Sequence, residues 1–499
     1  MNANLYALLR SHFPEEPGQP CILMPGGPVI HYDELDAASA RIAHALADTG
    51  CTPGDRVAVQ VDKCWQALAL YLACLRAGFI YLPLNTGYQK NELAYFFADA
   101  EPAVIVCRPE AAEMAAGLRP QATVLTLDAS GGTLIARAEG RPDSYETVPR
   151  GPNDAAAILY TSGTTGRSKG AVLSHRNLAS NALTLVEQWG FTRGDVLLHA
   201  LPVYHVHGLF VACHCVLLSS SRMLWLPKFD AKELIELLPH ATVMMGVPTF
   251  YTRLLAEPGF DRGACRHMRL FVSGSAPLLA ETFAEFRNRT GHTLLERYGM
   301  TETGMNTANP LGGERVGGSV GQPLPGISVR IVDEDGHLCT PGVVGAVQVK
   351  GPNVFGGYWR MPDKTQEEFT PDGYFRTGDM GEWLPNGYLK IAGRAKDLII
   401  TGGLNVYPKE IEEKIDAVAG VAESAVIGLP DRDLGEAVTA VVVTRPGHTL
   451  SEPELIAALR SEIAGFKVPK RVYFVAALPR NAMGKVQKNV LRETYSCAA

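Results

Sequence analysis

The sequence lacks the features that would indicate a nucleic-acid-binding protein or a membrane protein. The 499 residues contain no Lys/Arg run long enough for a nucleic-acid footprint, and the formal net charge is −6, so we expect no nucleic-acid partner. The longest apolar region, ALALYLACLRAGFIYLPL, is interrupted by Arg76, Gly78 and Pro83. It therefore predicts a buried helix followed by a strand, not a membrane span, and we expect no membrane association.

Paired cysteines are also missing. The ten Cys form no C-x-x-C motif, the spacing typical of redox and zinc sites. Cys213 and Cys215, the one close pair, lie in an apolar run and are expected in the core. The N-terminal segment MNANLYALLRSHFPEEPG has no apolar stretch of signal-peptide length. Scattered reduced thiols fit a cytoplasmic protein, which is the location we predict.

What is present is the alternation of helices and short strands that an α/β protein requires. YDELDAASARIAHALADTG has apolar residues at threes and fours with Gly50 as a cap, which predicts a helix. DRVAVQV and AVIVC are typical of neighbouring strands. The pattern predicts layered α/β architecture, and the length predicts more than one domain.

The composition changes near residues 385–397, in the Gly-rich passage PNGYLKIAGRAKDLIITGG. A compact helix–strand–strand–helix–strand series follows, including PKEIEEKIDAV and SEPELIAALRSEIAGF. The second helix opens with Ser451 and Glu454 at capping-box spacing. We predict a large N-terminal domain of layered α/β subdomains (1–393), a hinge (394–396) and a small mobile α+β domain (397–499).

The loop TSGTTGRSKG, residues 161–170, follows an apolar strand and buries almost nothing itself. A Gly/Ser/Thr segment is usually a flexible surface loop. The alternative is a phosphate cradle, in which Gly lets backbone N–H groups approach an anion while hydroxyls and a cation complete the site. The loop is not a Walker A motif, and the following GAVLSH is typical of a strand, so a P-loop ATPase or kinase is disfavoured.

Seven ordered motifs carry a family resemblance: YTSGTTGRSKG (160–170), PVYHVHG (202–208), SGSAPL (273–278), YGMTET (298–303), GYFRTGDMG (373–381), GRAKDLIITGGLNVYPKEIE (393–412) and PRNAMGKVQK (479–488). With them the sequence resembles, from about residue 20 to 490, the adenylate-forming superfamily of acyl-CoA synthetases, luciferases and adenylation domains. The resemblance implies that a carboxylate and MgATP give an acyl-adenylate and pyrophosphate, and that a thiol, usually of coenzyme A, then displaces AMP.

The resemblance also implies a nucleotide site. Its loop would hold the β- and γ-phosphates, Asp379 would accept from both ribose hydroxyls, and Arg394 would add positive charge near the ribose and phosphate. The residues it assigns to ATP or AMP are Thr161, Ser162, Gly163, Thr164, Thr165, Gly166, Lys169, Ser275, Ala276, Pro277, Arg297, Tyr298, Gly299, Met300, Thr301, Asp379, Arg394 and Lys485.

The catalytic residues implied by the resemblance are Lys485, Thr301 and His205. The Lys485 ammonium would bridge the attacking carboxylate and the α-phosphate, Thr301 would donate to that phosphate, and His205 would lie at the mouth of the acyl site. Glu302 would ligate Mg²⁺, a hard cation that prefers carboxylate oxygen. Without the resemblance, a Lys near a C-terminus is usually solvated surface and a Glu in this setting a helix cap.

The small domain would serve the second half-reaction by rotating between the two steps. Lys396 matches the family's hinge position, and Gly402, Gly403 and Leu404 would line the tunnel of the CoA thiol. Hinge and lid motions of this type often limit turnover.

The phrases LPVYHVHGLF, TVMMGVPTFYTRLL and SGSAPLLAET resemble those of malonyl-CoA synthetases within this superfamily. That resemblance implies malonate as the acid, with Arg253 clamping the distal carboxylate bidentately. Ser273, Ser275 and Met305 would help shape a short pocket, His205 would lie at its mouth, and the placement of His207 is less defined. Val206 stands where relatives often carry Thr, which leaves the tolerance for methylmalonate and larger malonates open.

Other functions remain compatible with the sequence. They are ligation of another short or medium acid, a stand-alone adenylation enzyme that loads an acyl carrier, an inactive acyl-binding regulator, and an oxygen-using luciferase. The expected small-molecule partners are malonate, ATP and CoA with Mg²⁺, and a lysine acetyltransferase that modifies Lys485 is a possible regulator.

Overall fold

The computed structural model describes residues 2–161, 168–401, 404–431, 434–460, 462–463, 465–481 and 484–496. The helices, in chain order, are α1 (Leu5–Arg10), α2 (Tyr32–Ala47), α3 (Trp65–Arg76), α4 (Lys90–Ala100), α5 (Ala112–Leu118), α6 (Thr133–Ala138), α7 (His175–Gln188), α8 (His214–Ser219), α9 (Ala231–Leu237), α10 (Pro248–Leu255), α11 (Ala280–Thr290), α12 (Pro362–Glu368), α13 (Pro408–Asp416), α14 (Glu452–Arg460) and α15 (Lys488–Ser496). A π-helix spans His207–Cys213, and 3₁₀ turns span Pro109–Ala111, Leu238–His240 and Ala395–Asp397.

The strands, in chain order, are β1 (Pro20–Leu23), β2 (Val29–His31), β3 (Arg56–Gln60), β4 (Ile80–Pro83), β5 (Val104–Cys107), β6 (Thr123–Thr126), β7 (Ala155–Thr161), β8 (Lys169–Ser174), β9 (Val196–His199), β10 (Arg222–Trp225), β11 (Val243–Gly246), β12 (Leu270–Ser273), β13 (Leu295–Met300), β14 (Gly304–Ala308), β15 (Gln322–Pro323), β16 (Ser328–Val332), β17 (Gly345–Lys350), β18 (Gly357–Tyr358), β19 (Phe375–Trp383), β20 (Leu389–Arg394), β21 (Ile399–Thr401), β22 (Leu404–Val406), β23 (Val421–Asp431), β24 (Gly435–Thr444) and β25 (Arg471–Phe474).

Two large mixed sheets make up most of the N-terminal part. One has the order β15-β14-β13-β12-β11-β9-β10-β1-β2, and the other has the order β18-β8-β7-β4-β3-β5-β6. Strands β9 to β13 pair in parallel, so their carboxyl ends meet at one edge of the first sheet. The segments that follow β9, β11 and β12 carry the PVYHVHG, GVPT and SGSAPL motifs. Ligands bind at this edge in open α/β sheets.

The apolar region around residue 70 is interior, as predicted. Helix α3 is buried over almost its whole circumference and leads into β4, whose residues are all buried. Among the described residues, no helix combines the length and the apolar character needed to cross a bilayer. The predicted helix after residue 31 forms as α2, and Gly50 beyond its end has φ +88°.

A smaller sheet, β16-β17-β19-β20, leads from the large sheets to the C-terminal part. The last sheet, β22-β21-β24-β23 with β25 beside β24, has its own apolar core around Ile411, Val426 and Leu455. The capping box at α14 is present, since Ser451 N–H donates to Glu454 Oε2 at 2.8 Å. Among the described residues the apolar core of this sheet begins at Ile399, and the domain boundary at 394–396 stays a prediction.

Contacts between the C-terminal part and the N-terminal part include an ion pair and a close approach of backbone. Arg445 donates to both oxygens of Glu281, at 2.7 and 2.9 Å. Gly484 lies against Thr249 at the start of α10, where an added Cβ would be 3.3 Å from the Thr249 hydroxyl. This placement brings the loop of Lys485 to the edge where the parallel strands end.

Candidate active site

The YGMTET motif forms the tip of the hairpin between β13 and β14. The turn is so tight that a Cβ on Gly299 would lie 2.1 Å from the Gly304 carbonyl oxygen, which explains why glycine occupies this position. Thr301 is half-buried at the tip, while Glu302 is only 5% exposed. The hairpin therefore presents a hydroxyl and a carboxylate side by side in the cleft.

Glu302 is a buried carboxyl without a cationic partner. Its Oε1 accepts hydrogen bonds from Tyr358 (3.1 Å) and from Thr161 (3.4 Å), and among the described residues no cation forms an ion pair with it. Burial raises its pKa, against the opposing effects of hydrogen bonds and of the charges of Arg394 and Lys169. A hard divalent cation would supply the missing positive charge, so this residue fits the predicted Mg²⁺ ligand.

Lys169 lies on the other side of Tyr358. Its ammonium is 3.1 Å from Glu368 Oε1 and 4.2 Å from the centre of the Tyr358 ring. The residue is buried, at 9% exposure, and it belongs to the predicted phosphate loop. Ser162, Gly163, Thr164, Thr165 and Gly166, the middle of that loop, lie outside the described residues. Its two ends, Thr161 and Lys169, are thus both placed beside Glu302.

Asp379 is the best-connected predicted residue. Tyr298 donates to its Oδ2 at 2.5 Å, and Arg394 Nε lies 2.7 Å from its Oδ1. The strand pairing of β19 with β20 sets Asp379 opposite Arg394. Burial raises the pKa of Tyr298, and the Asp379 charge raises it further. Each carboxylate oxygen keeps a second lone-pair direction, so ribose hydroxyls would share this carboxylate with Tyr298 and Arg394.

Lys485 reaches the same group of charges from the C-terminal part. Burial lowers its pKa to about 8, the charges of Arg394 and Lys396 lower it further, and those of Asp379 and Asp397 oppose this. Its backbone N–H donates to Asn481 Oδ1 at 2.9 Å, which fixes the loop that carries it. The side chain itself remains accessible to solvent. Asp379, which was predicted to bind the ribose, and Lys485, the predicted catalytic lysine, are therefore close enough for their charges to interact.

Arg297 is a cation buried at 3% exposure. Its NH2 donates weakly to Ser275 Oγ at 3.4 Å, its Nε has no hydrogen-bond partner, and no described carboxylate forms an ion pair with it. Burial lowers its pKa to about 10. The adjacent Glu296 lies on the opposite face of β13, as strand alternation requires, and its own pKa is raised to about 7 by burial.

The side chains around Arg297 are those predicted for the acyl pocket. The Ser275 hydroxyl is 3.4 Å from His207 Nδ1, and the Arg297 charge, after burial, lowers the pKa of both His205 and His207, that of His205 to about 4. Ser275 has φ +72°, a strained conformation for a non-glycine residue and one that clusters at functional sites. The buried hydroxyl of Ser273 has no hydrogen-bond partner among the described residues.

Arg253 is exposed on α10, and its guanidinium lies 6.0 Å from the ring of Phe229. Its exposure follows from helical periodicity: Tyr251 and Leu254 occupy the buried face of α10, which turns position 253 outward. The role of Arg253 as a clamp for the distal carboxylate stays a prediction.

The remaining predicted residues differ in how exposed they are. Ala276 is half-buried and Pro277 exposed after β12, Met300 is half-buried at the end of β13, and Met305 is buried in β14. Lys396 is exposed in the 3₁₀ turn between β20 and β21. Gly402 and Gly403 lie outside the described residues, and Leu404 opens β22, with no description of its side chain.

Two residues of the site have roles that the sequence analysis did not give them. Tyr358, which links Glu302 to Lys169, lies in the phrase VFGGYWRMPDKT and was not predicted as a site residue. Arg297 was assigned to the nucleotide. The signal that could have shown its role is the pair Glu296–Arg297 in the otherwise apolar strand segment HTLLERYGM, since a charge within a buried strand requires a partner.

The comparisons with known proteins identify the family of the chain. The model of the AMP-binding enzyme family matches residues 10–359, and that of the AMP-binding enzyme C-terminal domain matches residues 410–485. The chain belongs to the AMP-binding enzyme family. The family resemblance and the α/β fold class with a small C-terminal domain are thereby confirmed.

Individual relatives show which members of this family the chain is similar to. The chain is similar to the mitochondrial malonate–CoA ligase ACSF3 of Mus musculus, with 38% identity over 93% of this chain and 87% of that protein. It is also similar to the crystal structure of ATP-bound MatB from Rhodopseudomonas palustris, with 56% identity, 99% of each chain covered and a TM-score of 0.97. For the apo form of that MatB the TM-score is 0.86, at 55% identity and 99% coverage of each chain.

Proposed function

We propose that this protein is an AMP-forming malonate–CoA ligase. In the first step a carboxylate oxygen of malonate attacks the α-phosphorus of ATP, and pyrophosphate leaves. In the second step the CoA thiol attacks the acyl carbon of malonyl-adenylate, AMP leaves, and the thiol proton is released. Support comes from the names of the relatives, from the paired nucleotide and lysine geometry, and above all from Arg297.

Arg297 carries the choice of acid. A guanidinium held in the interior without an anionic partner costs stability unless a ligand supplies the counter-charge. Malonate has two carboxylates, and only one reacts with ATP. The other would pair with Arg297, with Ser273 and Ser275 hydroxyls as further donors. A monocarboxylic acid of the same length leaves Arg297 unpaired, so the pocket favours a short dicarboxylate.

The catalytic roles follow from the same geometry. Lys485 would bridge the attacking carboxylate and the α-phosphate, Thr301 would donate to that phosphate, and Asp379 with Arg394 would hold the ribose. Glu302 would hold Mg²⁺, which neutralises phosphate charge when it is bound. His205 stays neutral near pH 7 because its pKa is about 4, so it contributes hydrogen bonding at the pocket mouth.

Three further assignments belong to this proposal. Lys396 acts as the hinge between a domain of residues 1–393 and one of 397–499, because it lies in a short turn between two strands that belong to different sheets. Lys485 is the acceptor for a lysine acetyltransferase, because an accessible amine with a pKa of about 8 has a reactive neutral fraction. The cytoplasm is the proposed location, since nine described cysteines are unpaired thiols.

The experiment compares Arg297→Met with Arg253→Met, using malonate and propionate. Stranding one member of a buried charge pair typically costs about 3–5 kcal/mol, or roughly two to four decades in kcat/KM. We expect Arg297→Met to lose malonate by that factor while the weak turnover of propionate stays level or rises. Arg253→Met removes the same charge from an exposed helix and should leave the ratio of the two substrates within about threefold.

Thermal melts confirm that each variant is folded, and product analysis distinguishes malonyl-CoA from free malonyl-adenylate. A parallel loss of both acids in a folded Arg297→Met protein would make Arg297 structural and remove the argument for malonate. Selective loss of malonate in Arg253→Met would instead support the clamp predicted from the sequence.

A further inference from the structure

Half-buried Lys63 and fully buried His199 form a pair next to the acyl pocket that no step of the proposed reaction uses. Lys63 Nζ is 2.8 Å from His199 Nδ1 and donates at 2.8 Å to the His199 carbonyl oxygen. The indole ring of Trp225 lies 4.3 Å away. Among the described residues no carboxylate forms an ion pair with Lys63. Burial lowers its pKa well below the usual range.

The pair fixes the tautomer of His199. Because the Lys63 amine donates to Nδ1, the ring proton is held on Nε2. Nε2 in turn lies 2.9 Å from the Gly208 carbonyl oxygen, to which it donates. Burial, followed by the Lys63 charge, lowers the pKa of His199 well below its usual range, so the ring stays neutral. Both hydrogen bonds therefore have a defined direction: Lys63 donates to Nδ1 of the ring, and Nε2 of the ring donates to the Gly208 carbonyl oxygen.

Gly208 is the point where the pocket segment enters the π-helix. The packing allows no side chain there, since a Cβ would lie 2.0 Å from the Pro202 carbonyl oxygen. The Cys213 thiol donates to the same Gly208 carbonyl at 3.2 Å, which closes the helix on it. Single π-type turns within helices are uncommon and are frequent at functional sites. The hydrogen bonds to the Gly208 carbonyl thus fix the backbone of residues 205–208, which follow β9 by a few residues.

Those residues carry the pocket histidines. His207 precedes Gly208 directly and faces Ser275, and both His205 and His207 lie within the field of Arg297. A shift of the Gly208 backbone would move these side chains relative to Arg297. Displacement of about 1 Å at a binding group is sufficient to cost up to about 10²-fold in rate.

We propose that His199, oriented by Lys63, is a positioning residue that holds the His205–Gly208 segment against Arg297 and so sets the affinity for the acid. The proposal rests on the proposed function, because it takes the pocket around Arg297 as the acyl site. It predicts that the effect falls on malonate and spares ATP, which binds through Asp379 and Glu302.

The test uses two substitutions of one residue. In His199→Gln the amide nitrogen takes the place of Nε2 and still donates to Gly208, whereas in His199→Asn the shorter side chain cannot reach it. We expect His199→Asn to raise the KM for malonate about tenfold or more in pyrophosphate exchange, with the KM for ATP within about twofold. His199→Gln should recover most of the loss.

His214→Asn is the matched control. His214 is also fully buried, and its Nε2 pairs with Tyr71 at 2.8 Å, without any described contact to residues 205–208. It should leave the KM for malonate within about twofold of the wild type. Equal malonate KM values in His199→Asn and His214→Asn, or equal losses for malonate and ATP, would overturn the positioning role.

A second variant tests the proposal in case His199→Asn does not fold. Lys63→Met keeps His199 and its shape but removes the donor to Nδ1, so that only the Gly208 carbonyl still favours the Nε2–H tautomer. We expect a several-fold rise in the KM for malonate and loss of the single Nε2–H imidazole signal in ¹⁵N NMR. A wild-type KM together with an unchanged tautomer would refute the proposal. Failure here is distinct from failure of the ligase assignment, which depends on the substrate preference of the Arg297 variant.

Discussion

The depressed pKa of Lys485 leads to a prediction about the alkaline limb of adenylation. The lysine must carry its proton to bridge two anions, so activity falls as pH rises through its pKa. That pKa is about 8, and kcat/KM reports the free enzyme. We expect kcat/KM for malonate-dependent pyrophosphate exchange to be about tenfold lower at pH 9 than at pH 7.

Two residues near Lys485 allow its assignment to the alkaline limb to be tested, because their substitutions should shift its pKa in opposite directions. The Lys396 charge lowers the pKa of Lys485, and the Asp397 charge raises it. Lys396→Gln removes a repelling cation and should move the limb to higher pH. Asp397→Asn removes an attracting anion and should move it to lower pH. A unit charge across a solvent-accessible cleft is worth roughly 0.5–1 kcal/mol, or about 0.4–0.7 pKa unit.

The control is Lys414→Gln, which removes a cation from the same domain but one that pairs with Glu462 at 3.2 Å and does not act on Lys485. Its limb should coincide with that of the wild type. High salt should shrink both shifts, because exposed charges are screened. Displacement of the limb in the same direction by Lys396→Gln and Asp397→Asn would show that another group controls it. Melting curves are needed for Asp397→Asn, since Asp397 also pairs with Arg492 at 2.7 Å.

Two other predictions concern the separate half-reactions and the metal. Lys485→Ala should abolish adenylation but spare thioester formation from preformed malonyl-adenylate, which rapid-quench assays resolve; equal collapse of both steps in a folded variant would contradict its role. Glu302→Gln should raise the Mg²⁺ concentration needed for half-maximal exchange by about ten- to a hundredfold. Its melting temperature without metal should hold or rise, because a neutral amide replaces a carboxyl whose burial is unfavourable. An unchanged Mg²⁺ requirement would exclude Glu302 as the ligand.

Much of the fold was predictable because local pattern and tertiary burial agree. The interrupted apolar stretch reads as a helix and a strand, and α3 and β4 are both buried. The capping box at Ser451 and the cap at Gly50 depend on neighbours within four residues, which sequence shows directly. The ordered motifs then predicted which residues would gather at the strand ends.

Contacts between distant segments could not be predicted in the same way. The Tyr358 hydroxyl meets Glu302 across 56 residues, and Lys63 meets His199 across 136. Neither pair has a local spacing rule, because their distance in space is set by sheet order and not by separation along the chain. Residues of this kind are found only when the fold has placed them.

The two arginines show why charge alone was insufficient to locate the acid-binding group. Arg253 lies in a motif and carries the right charge, but the period of α10 turns it to solvent. Arg297 lies in the buried first half of β13, where Leu295, Glu296 and Arg297 are all enclosed although successive side chains point to opposite faces. A cation in solvent is stable without a partner, whereas a buried cation acquires one from the protein or from a ligand. Arg297 has no carboxylate partner among the residues that the structure describes, and for this reason we propose that the second carboxylate of the acid pairs with it.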